Sequence, residues 1–249
     1  MAKKKPQPSQ AGMMDAHQKE FLKLLTSYEF ASQGSRQAFR DCVEMGAIAL
    51  ANRWDYRPQR EERYLEMAKH YTPEQLETLC KMYGDVVLSI LDRWHDCLGE
   101  LYGDQELNIV EAGQFFTPYH VAQLMAKMTL GNVGDVIREK GFVTLCEPAV
   151  GAGSLALAAA EEIAAQGFEI EKTLGVTAID INVTAVHMAY VQLALRGVPA
   201  VVIRGDALLQ QEYPAEECWY TPAYLAGRWW EKLHPPEPAA EPELEAVAP

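Results

Sequence analysis

Apolar residues recur at three- to four-residue spacing from Met14 to about Leu107, which predicts amphipathic helices over this stretch. Phe21, Leu24, Leu25 and Tyr28 make one face. Phe39, Val43, Met45, Ala47, Ile48 and Leu50 make a second, and Tyr64, Leu65, Met67 and Ala68 a third. Thr72-Pro73-Glu74-Gln75 reads as a helix start, with Thr72 as the capping residue, Pro73 in the first turn and Gln75 three residues on from the cap. The helix that follows is expected to run through Leu91 and Trp94 to Leu98. A bundle of four or five helices is expected over 14–107.

Near Gly113 the pattern changes. Val121, Leu124, Met125 and Met128 predict one more helix face, and Phe142–Leu145 a first strand. Ser154–Ala165 reads as an alanine-rich helix, Leu174–Ile179 as a second strand ending at Asp180, and Ala185–Leu195 as a helix. Ala200–Ile203 reads as a third strand, ending at Gly205-Asp206. Strands alternating with helices predict an α/β fold with a parallel sheet and right-handed crossovers. Residues 1–13 are polar and 234–249 are rich in Pro, Glu and Ala, so both are expected to be disordered tails. This leaves a helical domain at 14–107 and an α/β domain at 108–233.

Composition narrows the setting. With 49% hydrophobic residues among 249, the chain can bury a sizeable core, and no apolar run approaches the roughly 18–20 residues that span a bilayer. Lys3, Lys4 and Lys5 are followed by no apolar stretch, so no signal peptide is expected. The five cysteines (Cys42, Cys80, Cys97, Cys146, Cys218) are scattered, without Cys-x-x-Cys spacing. Reduced thiols in a cytoplasm are expected, and no metal site. A net charge of −13 counts against autonomous tight binding to DNA, whose phosphates are gripped by Lys and Arg. A partner subunit could supply that grip.

Two segments carry chemistry. Leu145-Cys146-Glu147-Pro148-Ala149-Val150-Gly151-Ala152-Gly153-Ser154 reads as strand, acidic turn, glycine loop and helix start. Glycines let backbone approach a ligand, and an acid at a strand end accepts hydrogen bonds from it. Two further acids, Asp180 and Asp206, also end strands, and ligands of such sheets bind outside the carboxyl ends. Gln114-Phe115-Phe116-Thr117-Pro118 precedes the first strand. A dinucleotide is the competing ligand, but its Gly-x-Gly-x-x-Gly pattern would place a third glycine at Ala156.

With these elements in this order, about Asp96 to about Leu209 resembles the N6-adenine DNA methyltransferases of the type I restriction-modification kind. The resemblance implies a truncated Rossmann-like domain that binds S-adenosylmethionine (SAM), with DNA as substrate, reached through a specificity or partner subunit in a hetero-oligomer. It implies a loop of Glu147, Ala149, Gly151 and Gly153 around the methionine moiety, with Glu147 near its amino group. Asp180 would take the ribose hydroxyls and Asp206 the adenine amine. Ile181 and Ala207 or Leu208 would flank the adenine ring, and Phe116 and Thr117 would close over the methionine end. Glu147 stands where the family more usually has Asp, and Val150 where a small or polar residue is common.

The catalytic half is where the resemblance fails. The family holds a flipped-out adenine with Asn or Asp, Pro-Pro, and Tyr or Phe after a fourth strand. This chain has no such run; the nearest is Thr221-Pro222-Ala223-Tyr224, whose hydroxyl and single proline cannot reproduce paired carbonyl acceptors. The plainer reading is that Thr221 and Pro222 cap a short helix carrying Tyr224, Leu225, Trp229 and Trp230 into the core. Only some forty residues follow Asp206, too few for the remaining strands and a target-recognition region, so a minimal sheet or an edge covered by a partner is expected. The expected function is a SAM-binding protein of this family, catalytically reduced or partner-dependent. A non-enzymatic regulatory or decoy protein acting on a restriction-modification system is the alternative.

Overall fold

The computed structural model describes residues 14–30, 32–104, 117–209 and 212–235. Five helices come first: α1 (Ala16–Leu25), α2 (Ser35–Asn52), α3 (Pro58–Ala68), α4 (Pro73–Asp92) and α5 (Cys97–Asp104). Their starts follow from local chemistry. Asp15 with Gln18, and Thr72 with Gln75, form reciprocal capping boxes that satisfy backbone N–H groups a helix start leaves free. The helix expected to reach Leu98 is broken. It ends at Asp92, Arg93 is extended, and Asp96 restarts the chain as α5 by accepting the Gly99 N–H at 2.9 Å. Leu91, Trp94 and Leu98 keep helical spacing across the break, so periodicity alone conceals it.

Helices α6 (Tyr119–Leu130) and α7 (Val133–Lys140) lead into a four-stranded sheet of β1 (Val143–Glu147), β2 (Leu174–Asp180), β3 (Ala200–Arg204) and β4 (Cys218–Tyr220), in that spatial order. The first three strands are parallel. They are connected through α8 (Ser154–Ala165) with the short α9 (Ile170–Thr173), and through α10 (Val183–Leu195). The α/β fold expected from the alternation is therefore present. The short β4 was not expected as a strand; it returns antiparallel to β3 and leads to α11 (Pro222–Ala226) and α12 (Trp229–Leu233).

One sheet face packs on α8 and α10, where Val176, Ala178, Ala200 and Val202 meet Leu157, Val186 and Tyr190. The same core continues through Phe21, Phe39, Ile48 and Met82 of the first helices. On the other face Ile179, Val201 and Ile203 meet Tyr224 and Trp229. The Trp229 ring lies over Gly175, where a methyl group would overlap it, and its N–H donates to the Glu171 carbonyl at 3.0 Å. Trp230, expected to point inward with it, is exposed and stacks on His234.

Two features depart from a closed, fully covered sheet. The α6 row of Val121, Leu124, Met125 and Met128, expected as one helix face, is exposed, Met128 to 79%. Helix α6 instead buries Ala122 and Ala126 against Ala158 of α8. Small side chains let the two helices approach closely there. On the same flank β1 is the terminal strand, with Thr144 and Cys146 exposed and its outer edge unpaired among the described residues.

Candidate functional site

Parallel pairing aligns Glu147 with Ala178 and Asp180 with Arg204, which carries the acid-bearing ends of β1, β2 and β3 to one edge of the sheet. The loop that leaves β1 is tied to that edge by its own backbone. The Val150 N–H donates to the Ile179 carbonyl and the Gly151 N–H to Asp180 Oδ2, both at 2.9 Å. The Gly153 N–H turns back to the Val150 carbonyl at 2.9 Å. Gly153 has φ +106°, a backbone state that side-chained residues rarely adopt, and it opens α8 against Ala189.

The acids are held differently. Asp180 is buried, and its second oxygen accepts the Asn182 N–H at 2.8 Å, while Asn182 itself caps α10. Glu147 is half-buried; desolvation raises its carboxyl above the usual carboxylate range, and the Ala149 N–H at 3.4 Å partly offsets this. Asp206 Oδ1 accepts the Leu208 N–H at 2.9 Å, fixing the turn after β3. Beside these acids Ile181 is 71% and Leu208 89% exposed, two apolar side chains held out at a polar edge, with Ala207 half-buried between Asp206 and Leu208. Thr117 stands half-buried just before α6, and Phe116 lies outside the described residues.

This edge presents acceptors. The loop N–H groups of Val150, Gly151 and Gly153 are spent on protein oxygens, so they are not free to cradle a pyrophosphate. Three carboxylates at the same edge would repel one. The arrangement suits a ligand rich in hydrogen-bond donors or positive charge, with a flat apolar part to lie by Ile181 and Leu208. Cavities of about 150 Å³ (beside Arg57, Arg60 and Trp219) and about 210 Å³ (among α2, α3 and α4) lie away from this edge.

The structure does not bring Thr221, Pro222 and Tyr224 to this edge. Because β4 runs antiparallel to β3, its end lies beside the beginning of β3. Thr221 Oγ donates to the Val198 carbonyl at 2.8 Å and accepts the Ala200 N–H at 2.9 Å. A five-residue strand separates that point from the acids, roughly 15 Å at strand rise. Thr221 also caps α11, Pro222 fills its first turn and Tyr224 is buried, so this segment is structural. Arg60 of α3 holds β4 in place, donating to the Cys218 carbonyl at 3.0 Å and lying over the Trp219 ring.

Ser89, His95 and Glu100 have the outline of a nucleophile–base–acid relay, at 3.1 and 3.3 Å. Ser89 and His95 are buried, and the Ser89 hydroxyl lies 2.7 Å from Asp15, so the group fastens α1 to α4 and α5 instead. Among the described residues no His, Cys, Asp and Glu cluster forms a metal site, and no helix is long and apolar enough to cross a membrane. Sequence reasoning missed Asp96 and Gln192, which reach the glycine loop from just before α5 and from α10. The only local signal was the glycine three residues after Asp96.

Residues 98–223, just over half of the chain, match the family model for N-6 DNA methylase. The chain belongs to the N-6 DNA methylase family. The match takes in the glycine loop and all three strand-end acids. Among solved structures, this family member is similar to a Listeria monocytogenes protein described as a class I S-adenosylmethionine-dependent methyltransferase. Identity is 13% over 77% of this chain and 69% of that one, with a TM-score of 0.39. It is also similar to the methyltransferase subunit of a type I restriction-modification system from Streptococcus thermophilus, at 26% identity and a TM-score of 0.38. That match covers 81% of this chain but 40% of the other, so the chain spans less than half the length of that subunit. No curated protein matches it.

Proposed function

We propose that this N-6 DNA methylase family member is a SAM-binding half-site, which depends on a partner for methyl transfer to DNA. SAM has the chemistry that the carboxyl edge suits. Its ammonium and sulfonium groups are positive, and its ribose hydroxyls and adenine amine are donors. Glu147 would face the methionine ammonium, Asp180 the ribose and Asp206 the adenine amine. Ile181 and Ala207 or Leu208 would flank the ring. Ala149, Gly151 and Gly153 would form the loop beside the methionine, and Phe116 and Thr117 would close over it. When bound, SAM supplies the methyl group; this chain's residues bind and orient it.

The observation that carries partner dependence is the position of Thr221-Pro222-Ala223-Tyr224 at the amino end of β3, away from the acids. Aiming an amine lone pair at a methyl group supplies much of the rate in such reactions, and no residue described here stands ready to do it at the carboxyl edge. The β1 edge, unpaired among the described residues, and the exposed α6 row support a partner that adds a strand on that flank. A net charge of −13 supports a partner that brings the basic DNA contacts. Incubating the purified chain with tritiated SAM and unmethylated DNA tests this: no incorporation is expected from the chain alone. Steady incorporation by the chain alone would overturn the proposal.

A further inference from the structure

A fourth carboxylate reaches the glycine loop, from the helical side of the molecule. Asp96 is buried and, among the described residues, has no cationic partner within ion-pair distance. Its Oδ2 accepts the Ser154 hydroxyl at the first residue of α8. Its Oδ1 accepts the Gly99 N–H at 2.9 Å and the Gln192 side-chain amide at 2.8 Å. The same Gln192 nitrogen donates to the Ala152 carbonyl at 2.8 Å, and the Gln192 oxygen accepts the Leu98 N–H at 3.2 Å. A closed ring of hydrogen bonds thus joins the start of α5, the last turn of α10 and the junction of the loop with α8. Gly99 is required beside it, since a methyl group there would overlap the Asp96 carboxylate.

An unpaired buried carboxylate is costly to desolvate, and apolar packing of the same volume is often at least as stable. What the ring adds is geometry. It fixes the Ala152 carbonyl and the Ser154 side chain, the two ends of the segment that holds Gly153 at its positive φ. We propose that Asp96 is the positioning residue of the glycine loop: through Ser154 and Gln192 it sets the backbone that receives the cofactor, and so couples cofactor binding to α5. The coupling rests on SAM being the ligand; the positioning does not. Linkage makes the effect reciprocal, so a cofactor bound at the loop steadies the start of α5.

The test uses the full chain as wild type, Asp96→Asn, Ser154→Ala and, as a control for losing a buried carboxylate elsewhere, Asp41→Asn. SAM affinity is measured by calorimetry, and amide exchange is followed over 97–101 and 150–155 with and without SAM. Asp96→Asn and Ser154→Ala are each expected to weaken SAM by about tenfold or more. Asp41→Asn is expected to lower thermal stability and leave affinity unchanged. In the wild type, SAM should slow exchange at Leu98 and Gly99 as well as in the loop; in Asp96→Asn at saturating SAM only the loop should be protected. Unchanged affinity in both folded variants, or protection that never reaches Leu98 and Gly99, would overturn the proposal. If Asp96→Asn does not fold, Ser154→Ala decides, since it removes one hydroxyl. If the wild type binds no SAM, the cofactor reading fails separately, and exchange over 150–155 without ligand decides positioning. Faster exchange in Ser154→Ala supports it and unchanged exchange refutes it.

Discussion

At the scale of single residues, titration and hydrogen bonding set the terms. His187 is buried against Trp219 and has Arg60, Arg63 and Arg204 nearby, with Glu44 opposing them. Burial first, and then the arginines, lower its pKa from 6.5 to about 4. The sign follows: below about pH 6.5 the unfolded chain takes up a proton that the folded chain refuses until about pH 4. His187 therefore contributes its full stability above about 6.5 and loses it progressively between about 6.5 and about 4. Urea unfolding at pH 7 and pH 5 should show wild type losing about 2 kcal/mol more than His187→Phe. Equal losses would show that the imidazole is not held neutral. Glu147 and Asp96, whose carboxyls burial raises, act in the opposite direction in both proteins and cancel from the comparison. The strand-end acids were legible in the sequence, because parallel strands bring their carboxyl ends to one edge whatever else surrounds them. Asp96 and Gln192 were not, since they meet 96 positions apart and neither carries a local motif.

At the scale of elements, boundaries set by capping chemistry could be read and those set by tertiary packing could not. The Gly153-Ser154 start of α8 and the Thr72 start of α4 fall where the sequence puts them, because glycine and capping side chains act within a few residues. The helix α6 and its Val, Leu and Met row were legible, but not that it packs through Ala122 and Ala126 instead, since alanines carry little hydropathy. The segment around Thr221 was compared with a motif that follows a fourth strand; β4 is three residues long and antiparallel to β3, so its end lies away from the carboxyl ends of the parallel strands. Helices α11 and α12 matter as a cover for the amino half of the sheet. Replacing Trp229 by Ala should cost about 3–5 kcal/mol in urea unfolding while SAM affinity stays at the wild-type value, since Trp229 sits by Gly175 at the start of β2. A loss below about 1 kcal/mol would contradict the packing described.

At the scale of the whole molecule, a glycine loop and three strand-end acids share one edge of a four-stranded sheet. One face of β1, β2 and β3 is buried under α8 and α10 and continuous with the helical part, while the flank at β1 and α6 stays open among the described residues. The proposed division of labour follows: the acids and glycine loop bind the methyl donor, and a partner completes the sheet and presents the base. Everything in that division depends on the carboxyl edge being a SAM site. Calorimetric titration of SAM into the wild-type chain and into Asp180→Ala tests it most directly. One saturable site is expected in the wild type, weakened by about 1–3 kcal/mol in the variant, which loses the proposed ribose acceptor and the Gly151 N–H contact. Absence of wild-type binding at high micromolar SAM, or equal binding by Asp180→Ala, would contradict it.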